Sequence, residues 1–260
     1  SRITSATFTF SQAGLNVSTG PIVSTTGGAF RPDVEYNPQS DAFLVVWEDR
    51  RMAATVDDFA VVGRMISGHL VSGPEFVLSE MIPYVGTDSS ATWTPRPALA
   101  AGDDSFLAVW FKQKQLDEGT EWTANARFIR TDGPSGQSFP VAHMPFALQH
   151  TGSAPSGTLS ATFSRELNEY LVGMSTHLES LWGYFSFALV QRITPSGVLV
   201  GIDGSPLKRD VVGQSIDYDN DDQTSIAVAA NSEAAVNGIQ YVTVYGKHAI
   251  GSHSQDFDIW

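Results

Sequence analysis

The chain has 260 residues, of which 42% are hydrophobic and 17% charged, so it is long enough for one large domain and too hydrophobic to stay disordered. It contains no cysteine, which excludes a disulfide framework, a thiolate zinc site and a cysteine nucleophile. With 28 acidic against 15 basic residues the formal net charge is −13, a sign that repels phosphate backbones, so no nucleic-acid partner is expected.

Short apolar runs rich in valine, isoleucine, phenylalanine and tryptophan follow one another along the chain. They are bounded by clusters of glycine, proline, asparagine, aspartate and serine, which is the pattern of β-strands and turns. Residues 164–170 and 231–237 are the only segments to consider as helix, and they are too short to bury a face, so both are interpreted as turns. The sequence therefore predicts an all-β chain.

The first predicted element is an extra N-terminal hairpin within residues 1–30, made of residues 6–10 and 20–24. It matches the second half of the repeat unit described below and has no matching first half. Three interpretations stay open. The hairpin completes a further, partly formed sheet, the chain is cut from a longer repeat protein, or the hairpin joins a neighbouring molecule in a homo-oligomer.

A hairpin then recurs along the chain. Residues 43–47 (FLVVW) recur as residues 106–110 (FLAVW), 63 residues later, and both runs follow an Arg-Pro pair, Arg31-Pro32 and Arg96-Pro97. Weaker copies are residues 170–174 and 225–229. Each copy follows a short apolar run and a polar turn, the fourth through residues 216–218, so each predicts a strand, a turn and a second strand.

Each hairpin is followed by a polar loop and a second strand pair, so one unit has four strands. The second pairs are residues 61–66 with 75–78, 126–130 with 138–142, 185–192 with 198–202, and 240–245 with 255–260. Such a sheet cannot bury both faces alone, and radial stacking of repeated sheets gives a β-propeller. The sequence predicts a single β-propeller domain over residues 1–260 with four to five four-stranded antiparallel blades. Tandem β-sandwiches are the alternative. The predicted repeat units are about 31–95, 96–155, 156–212 and 213–260.

The first unit carries a resemblance to a known group of proteins. It reads RPDVEYNPQSDAFLVVWEDRR, followed by VVGRMISGHLVSGPEFVLS. These strings resemble the repeat of bacterial secreted and surface proteins of the β-propeller type, and the resemblance covers the first unit well, the second fairly and the others in outline. It implies a repeated β-sheet scaffold, secreted or at the cell surface, often as a module of a larger adhesive or polymer-degrading protein.

Aromatic residues recur where the central loop of each unit re-enters the sheet. The recurring residues are Phe59, Trp122, Trp182 and Tyr241. Each either fills the space between blades or forms a repeated binding site, because sugars lay their C–H faces on exposed rings while carboxylates take the hydroxyls. Trp93 lies outside this register among small polar residues and is predicted to face solvent or to plug the space between blades. Trp47 and Trp110 end hydrophobic strands and are predicted in the core.

Two carboxylates add to the predicted ligand site. Glu48 and Asp49 directly follow Trp47 and are predicted on a loop rim, either as part of a solvated ion-pair cluster or in contact with a polar ligand. The predicted ligand-binding residues are Trp93, Trp122, Trp182, Tyr241, Glu48 and Asp49. The favoured function is a non-enzymatic carbohydrate-binding or adhesive module outside the cytoplasm, whose partner is a glycan or another cell-surface ligand.

An enzyme is the first alternative. Glycoside hydrolysis needs two carboxyl groups about 5 to 9.5 Å apart. Asp33, Glu35 and Asp217 are the carboxylates predicted on inner strands, and the corresponding positions of the second and third units are Ala98, Ala100, Leu159 and Ala161. A glycoside hydrolase or its accessory domain therefore stays open, with these three carboxylates as weak catalytic candidates. The second alternative is a structural or assembly module of a larger surface protein.

A calcium site is the one cofactor left open. Asp217, Asp219 and Asp221 alternate as the oxygen ligands of calcium do, although an aspartate-rich hairpin turn explains the same residues. No run approaches the ~18 apolar residues that a membrane-spanning helix needs, so membrane insertion is not expected.

Overall fold

The computed structural model describes residues 29–50, 59–67, 72–80, 96–116, 119–143, 157–180, 183–200, 210–217, 226–230, 241–248 and 257–259. Within these ranges every regular element is a β-strand, and the strands form four antiparallel sheets. The all-β prediction is confirmed. The described residues include no helix long and apolar enough to cross a membrane.

The strands follow the chain from sheet to sheet. The first sheet contains β1 (Ala29–Asn37), β2 (Ala42–Asp49), β3 (Ala60–Ser67) and β4 (Ser72–Val77). The second contains β5 (Ala98–Ala101), β6 (Phe106–Leu116), β7 (Gly119–Arg130) and β8 (Gly133–His143). The third contains β9 (Gly157–Ser164), β10 (Glu169–Ser180), β11 (Gly183–Ile193), β12 (Leu199–Val200) and β13 (Asp210–Asp217). The fourth contains β14 (Ile226–Ala230), β15 (Tyr241–His248) and β16 (Phe257–Ile259).

The sheets are arranged as blades. Their first strands lie beside one another in chain order, β1 next to β5, β5 next to β9 and β9 next to β14. Meandering antiparallel sheets whose first strands adjoin in this way form a β-propeller, so the predicted fold class is confirmed and the sandwich alternative is not adopted. The first three predicted hairpins are confirmed as β1–β2, β5–β6 and β9–β10. The unit boundaries stay a prediction, and the N-terminal hairpin lies outside the described residues.

The core lies between the first three sheets. Its largest cluster joins residues of all three, including Val46, Trp110 and Met174, each no more than 1% exposed. Trp47 belongs to a second cluster on the first sheet and is 3% exposed. Both tryptophans were predicted in the core, and the structure confirms this, although neither ends its strand, since β2 continues to Asp49 and β6 to Leu116.

The predicted fourth hairpin is wrong. Residues 216–218 were expected to pair with residues 225–229, but β13 pairs with β11 and β14 pairs with β15. The reason lies in the length of β12, which covers only Arg192 and Ile193 of β11. The outer edge of β11 over residues 184–190 is therefore open, and β13 supplies the missing backbone partner there.

The fourth sheet consequently presents β14 to the third sheet as its first strand. The edge of β14 that faces away from β15 donates alternate backbone N–H groups to hydroxyl side chains of β9. The three pairs are Ile226 to Thr158 at 3.0 Å, Val228 to Ser160 at 3.1 Å and Ala230 to Thr162 at 3.2 Å. We call Thr158, Ser160 and Thr162 the hydroxyl ladder. The hydroxyl ladder accepts the backbone N–H groups that a neighbouring strand would otherwise accept at this edge of β14.

Candidate functional site

A polar cavity opens where the first strands converge. It has a volume of about 630 Å³ and lies between β1, β5, β9 and β14. Its polar and charged lining residues are Arg31, Asp33, Glu35, Arg96, Thr158 and Ser160, and its apolar lining is Pro32, Pro97, Ala98, Leu99, Leu159, Ala161 and Val228. Volumes of about 300 to 1,000 Å³ are typical of small-ligand sites. We call this space the axial cavity.

The repeated Arg-Pro pairs shape the mouth of the axial cavity. Arg31 and Arg96 have φ angles of 47° and 45°, in the left-handed region that residues other than glycine rarely adopt. The pairing of β1 with β2 shifts register between Phe30 and Asp33, so the first Arg-Pro pair forms a bulge. Bulges and left-handed residues of this kind redirect side chains and are concentrated at functional sites. The repeat thus places two arginines on one cavity.

Glu48 holds the two arginine segments together. Its side chain is fully buried, the N–H of Arg96 donates to Oε1 at 2.7 Å, and Nη1 of Arg31 lies 3.5 Å from the same oxygen. Glu48 was predicted on a loop rim, and that placement is wrong because β2 continues through residue 49. Asp49 is wrongly placed for the same reason. It is 1% exposed and its Oδ2 accepts the indole N–H of Trp47 at 2.9 Å.

Asp33 is fixed by backbone donors on two blades. The N–H of Val34 donates to Oδ1 at 2.9 Å, and the N–H of Leu99 in β5 donates to Oδ2 at 2.8 Å. Burial raises the pKa of Asp33, and the two backbone hydrogen bonds act in the opposite direction. Because both carboxylate oxygens accept hydrogen bonds, Asp33 is a rigid part of the cavity wall.

Glu35 lies two residues further along β1, on the same face as Asp33. Burial raises the pKa of Glu35, and the negative charge of Asp33 raises it further. Neighbouring carboxyl groups whose pKa values are both raised in a cavity are typical of sites that handle protons. The structure thus brings two of the predicted catalytic candidates, Asp33 and Glu35, into one cavity.

The third sheet places hydroxyl side chains at positions where the comparison of repeat units predicted Leu159 and Ala161. Asp33 pairs with Val46, and the equivalent residues of the third sheet are Ser160 and Gly173, which pair with each other. The position equivalent to Asp33 is therefore Ser160, not Leu159, and Thr162 takes the place expected for Ala161. A shift of one residue moves every side chain to the other face of a strand. Alternation of hydroxyl residues at 158, 160 and 162 was the signal that could have set the register.

Asp217, the third catalytic candidate, does not join this cavity. It ends β13 and pairs with Tyr184 of β11, so two strands separate it from β9. Its predicted position on an inner strand is wrong for the reason given above, the open outer edge of β11. Among the described residues no group of three or more histidine, cysteine, aspartate or glutamate side chains is arranged to hold a metal ion, and Asp219 and Asp221 lie outside those residues.

The predicted aromatic residues are spread over different environments. Tyr241 begins β15, packs against Leu171 and Ile226, and its hydroxyl donates to the backbone oxygen of Glu169 at 3.5 Å. Burial raises the pKa of Tyr241 to about 12. Trp122 lies in β7 opposite Gln113. Trp93 and Trp182 lie outside the described residues, and the ligand-binding role of all four aromatics stays a prediction.

The raised pKa of Glu35 predicts a pH dependence of stability. Below its ordinary pKa of 4.5 the Glu35 carboxyl group is protonated in the folded and in the unfolded protein. As pH rises through the raised pKa of the folded protein, the folded state loses stability relative to the unfolded state. Glutamine in Glu35→Gln stays neutral, so the unfolding free energy of the variant should rise relative to that of the wild type as pH increases above the ordinary pKa of 4.5. Urea unfolding at several pH values measures the difference.

Glu80→Gln is the control for this pH series. The Glu80 side chain is 82% exposed and pairs with Lys112 at 3.0 Å, a surface ion pair worth less than about 1 kcal/mol at any pH. An unfolding free energy of Glu35→Gln that falls relative to that of the wild type as pH rises would contradict the account of Glu35.

No protein-family model and no curated protein matches the chain. Among solved structures, the chain is similar to a native arabinanase of Bacillus subtilis, with 13% identity, a TM-score of 0.38, and coverage of 84% of this chain and 73% of that one. It is also similar to an exo-1,5-α-L-arabinanase from a bovine ruminal metagenomic library, with 13% identity, a TM-score of 0.39, and coverage of 85% and 75%. A third is an N-acetylgalactosamine deacetylase from F. plautii in complex with blood group B trisaccharide, with 14% identity, a TM-score of 0.44, and coverage of 89% and 66%. Similarities at this level do not define an activity.

Proposed function

We propose that the protein is a glycan-recognising β-propeller that works outside the cytoplasm and binds its ligand in the axial cavity. The observation that carries this proposal is the composition of the cavity wall. Arg31 and Arg96 donate hydrogen bonds only, Asp33 and Glu35 accept them when ionised, and Ser160 does both. A sugar presents hydroxyl groups that need donors and acceptors side by side, and this wall supplies both.

Apolar atoms complete the match to a sugar. Pro97, Leu99, Leu159 and Val228 line the cavity between the polar groups and give C–H faces a surface to lie on. The described lining holds no aromatic ring. Recognition here therefore rests on hydrogen bonds, and the proposed site moves from the loop aromatics that the sequence suggested to the axis of the propeller.

Binding to a panel of immobilised glycans tests this proposal. Wild type is expected to bind a subset of the panel, and Glu35→Gln should weaken that binding by about 10- to 100-fold, because a hydrogen bond to a charged group is worth about 1.5 to 3 kcal/mol. Glu80→Gln is the matched surface control and should bind as the wild type does. If Trp122→Ala abolishes binding while Glu35→Gln has no effect, the site lies at Trp122 in β7 and not in the axial cavity, and the proposal fails.

Glycoside hydrolysis is the second candidate, and one observation favours it. Asp33 and Glu35 lie on one face of β1 and line one cavity, and the Cα atoms of alternate strand residues are roughly 6.8 Å apart, which allows the carboxyl separation of about 5 to 9.5 Å that glycosidases use. Glu35, with its raised pKa, would be the general acid and Asp33 the second carboxylate. Release of reducing sugar that disappears in Glu35→Gln would support it, whereas binding without release would leave a recognition module.

A further inference from the structure

The axial cavity has a cationic end that distinguishes it from a neutral sugar site. Arg31 is the third residue of β1 and Arg96 lies two residues before β5, and these equivalent positions both line the cavity. Asp33 and Glu35 follow two and four residues after Arg31 on the same strand. The cavity wall is therefore polarised along β1, with guanidinium groups at one end and carboxyl groups further along.

One buried carboxylate serves both arginine segments. Oε1 of Glu48 accepts the N–H of Arg96 at 2.7 Å and lies 3.5 Å from Nη1 of Arg31, and the position equivalent to Glu48 in the second sheet is Phe111. Glu48 thus ties the side chain of Arg31 to the backbone of Arg96, and both arginine residues line the cavity beside it. Burial lowers the pKa of Arg96, the charge of Arg31 lowers it further, and the charge of Glu48 acts in the opposite direction, so the two arginines are close enough to affect each other.

We propose that the ligand of the axial cavity is a carboxylate-bearing glycan, whose acid group binds between Arg31 and Arg96. This inference rests on the proposed function and names its substrate class. A carboxylate offers two oxygens to the planar donor fork of each guanidinium, a match that a hydroxyl group lacks. The sugar hydroxyls then lie towards Asp33 and Glu35.

Because the protein as a whole is negatively charged, binding of an acidic glycan requires a local cationic site. A net charge of −13 repels a polyanion, so a carboxylated polymer gains no general attraction from the surface. Binding of such a polymer must come from a defined cationic site. Arg31 and Arg96 share left-handed φ angles, and the buried Glu48 binds the guanidinium of Arg31 and the backbone N–H of Arg96, which keeps both residues at this end of the cavity.

Paired polymers that differ only in charge test the proposal. Polygalacturonate, alginate and hyaluronan are each compared with their methyl esters by isothermal titration, alongside neutral glycans from the panel. Wild type is expected to bind at least one acidic polymer about 10- to 100-fold more tightly than its ester, the ratio that charge-assisted hydrogen bonds confer. The double variant Arg31→Gln/Arg96→Gln should bring that ratio to about one.

Two further variants keep the result interpretable. Arg130→Gln removes an exposed arginine at the end of β7, outside the cavity lining, and should leave the ratio unchanged. Arg31→Lys keeps the charge but loses the planar donor fork, so it should give a ratio between those of the wild type and the double variant. This variant serves as the test if the double variant does not fold. Equal affinity of wild type for every acid and its ester, with neutral glycans bound, overturns this inference and leaves the proposed function standing. Absence of binding to any glycan overturns the proposed function.

Discussion

Replacing Gly102 with alanine is expected to lower the free energy of unfolding by about 3 kcal/mol, the upper part of the range for overpacked sites. Gly102 lies in the turn between β5 and β6, and its N–H donates to the backbone oxygen of Ser105 at 2.8 Å. The hydroxyl of Tyr170 lies where a Cβ atom on Gly102 would be. Neither partner can move freely, because the turn is backbone and the Tyr170 ring is 1% exposed.

The surroundings of this turn explain why the effect should be large. The Tyr170 hydroxyl donates to the backbone oxygen of Ser105 at 3.0 Å, and Nδ2 of Asn37 donates to the backbone oxygen of Gly102 at 2.8 Å. Residues of the first, second and third sheets therefore meet at one turn. Burial raises the pKa of Tyr170 to about 12, so the hydroxyl keeps its proton and stays a donor at neutral pH.

A double-mutant cycle measured by urea unfolding checks this prediction. Tyr170→Phe alone removes a hydrogen bond and should lower stability by about 1 kcal/mol. In the Tyr170→Phe background, Gly102→Ala should be less harmful than in wild type, although the Cζ atom of residue 170 still lies 2.7 Å from the added Cβ. Strictly additive effects, or a loss below about 0.5 kcal/mol for Gly102→Ala alone, would contradict the packing described here.

Removing the hydroxyl ladder is expected to have an effect of similar size. The triple variant Thr158→Val/Ser160→Ala/Thr162→Val leaves three backbone N–H groups of β14 without their acceptors. Each such loss in a half-buried setting lowers stability by about 1 kcal/mol, so the sum is about 3 kcal/mol. Thr158 also shares a hydrogen bond of 2.7 Å with Ser175, which the variant removes as well.

Amide hydrogen exchange gives a readout that general destabilisation does not imitate. The N–H groups of Ile226 and Val228 face β9, whereas those of Ala227 and Ala229 point to β15 because alternate residues of a strand face opposite edges. In the triple variant the first pair should exchange faster than the second. The control Thr158→Ser/Thr162→Ser keeps both hydroxyls and should retain near wild-type protection. Equal acceleration at all four amides would contradict the role of the ladder.

Periodicity and repetition predicted most of the fold. Alternating apolar strands, polar turns and the repeated Arg-Pro pairs indicated antiparallel four-stranded sheets, and the first three hairpins formed as expected. The prediction of the fourth hairpin failed because a strand pairs with whichever neighbouring strand has unpaired backbone groups at its edge. The two-residue β12 leaves β11 exposed, and nothing in residues 210–217 themselves distinguishes an inner strand from an outer one.

The site was harder to predict than the fold. The placement of Asp33 and Glu35 at the axis could be predicted from the position of β1 as an inner strand. The burial of Glu48 could not, because a charged run such as the one after Trp47 usually lies on the surface. Glu48 departs from this rule because its partners come from Arg31 and from Arg96, 48 residues away in sequence. The left-handed φ angles of both arginines run against the extended preference of residues before proline, so only the structure shows that the repeat builds a cavity mouth.

The central claim is that a glycan binds at the axis of the propeller. The most direct test is a crystal structure of the protein soaked with the glycan that binds most tightly in the panel. The account predicts sugar density between β1, β5 and β9, within hydrogen-bond distance of Glu35 and Arg31. Sugar density at Trp93 or Trp122, with the axial cavity filled by solvent alone, would contradict it.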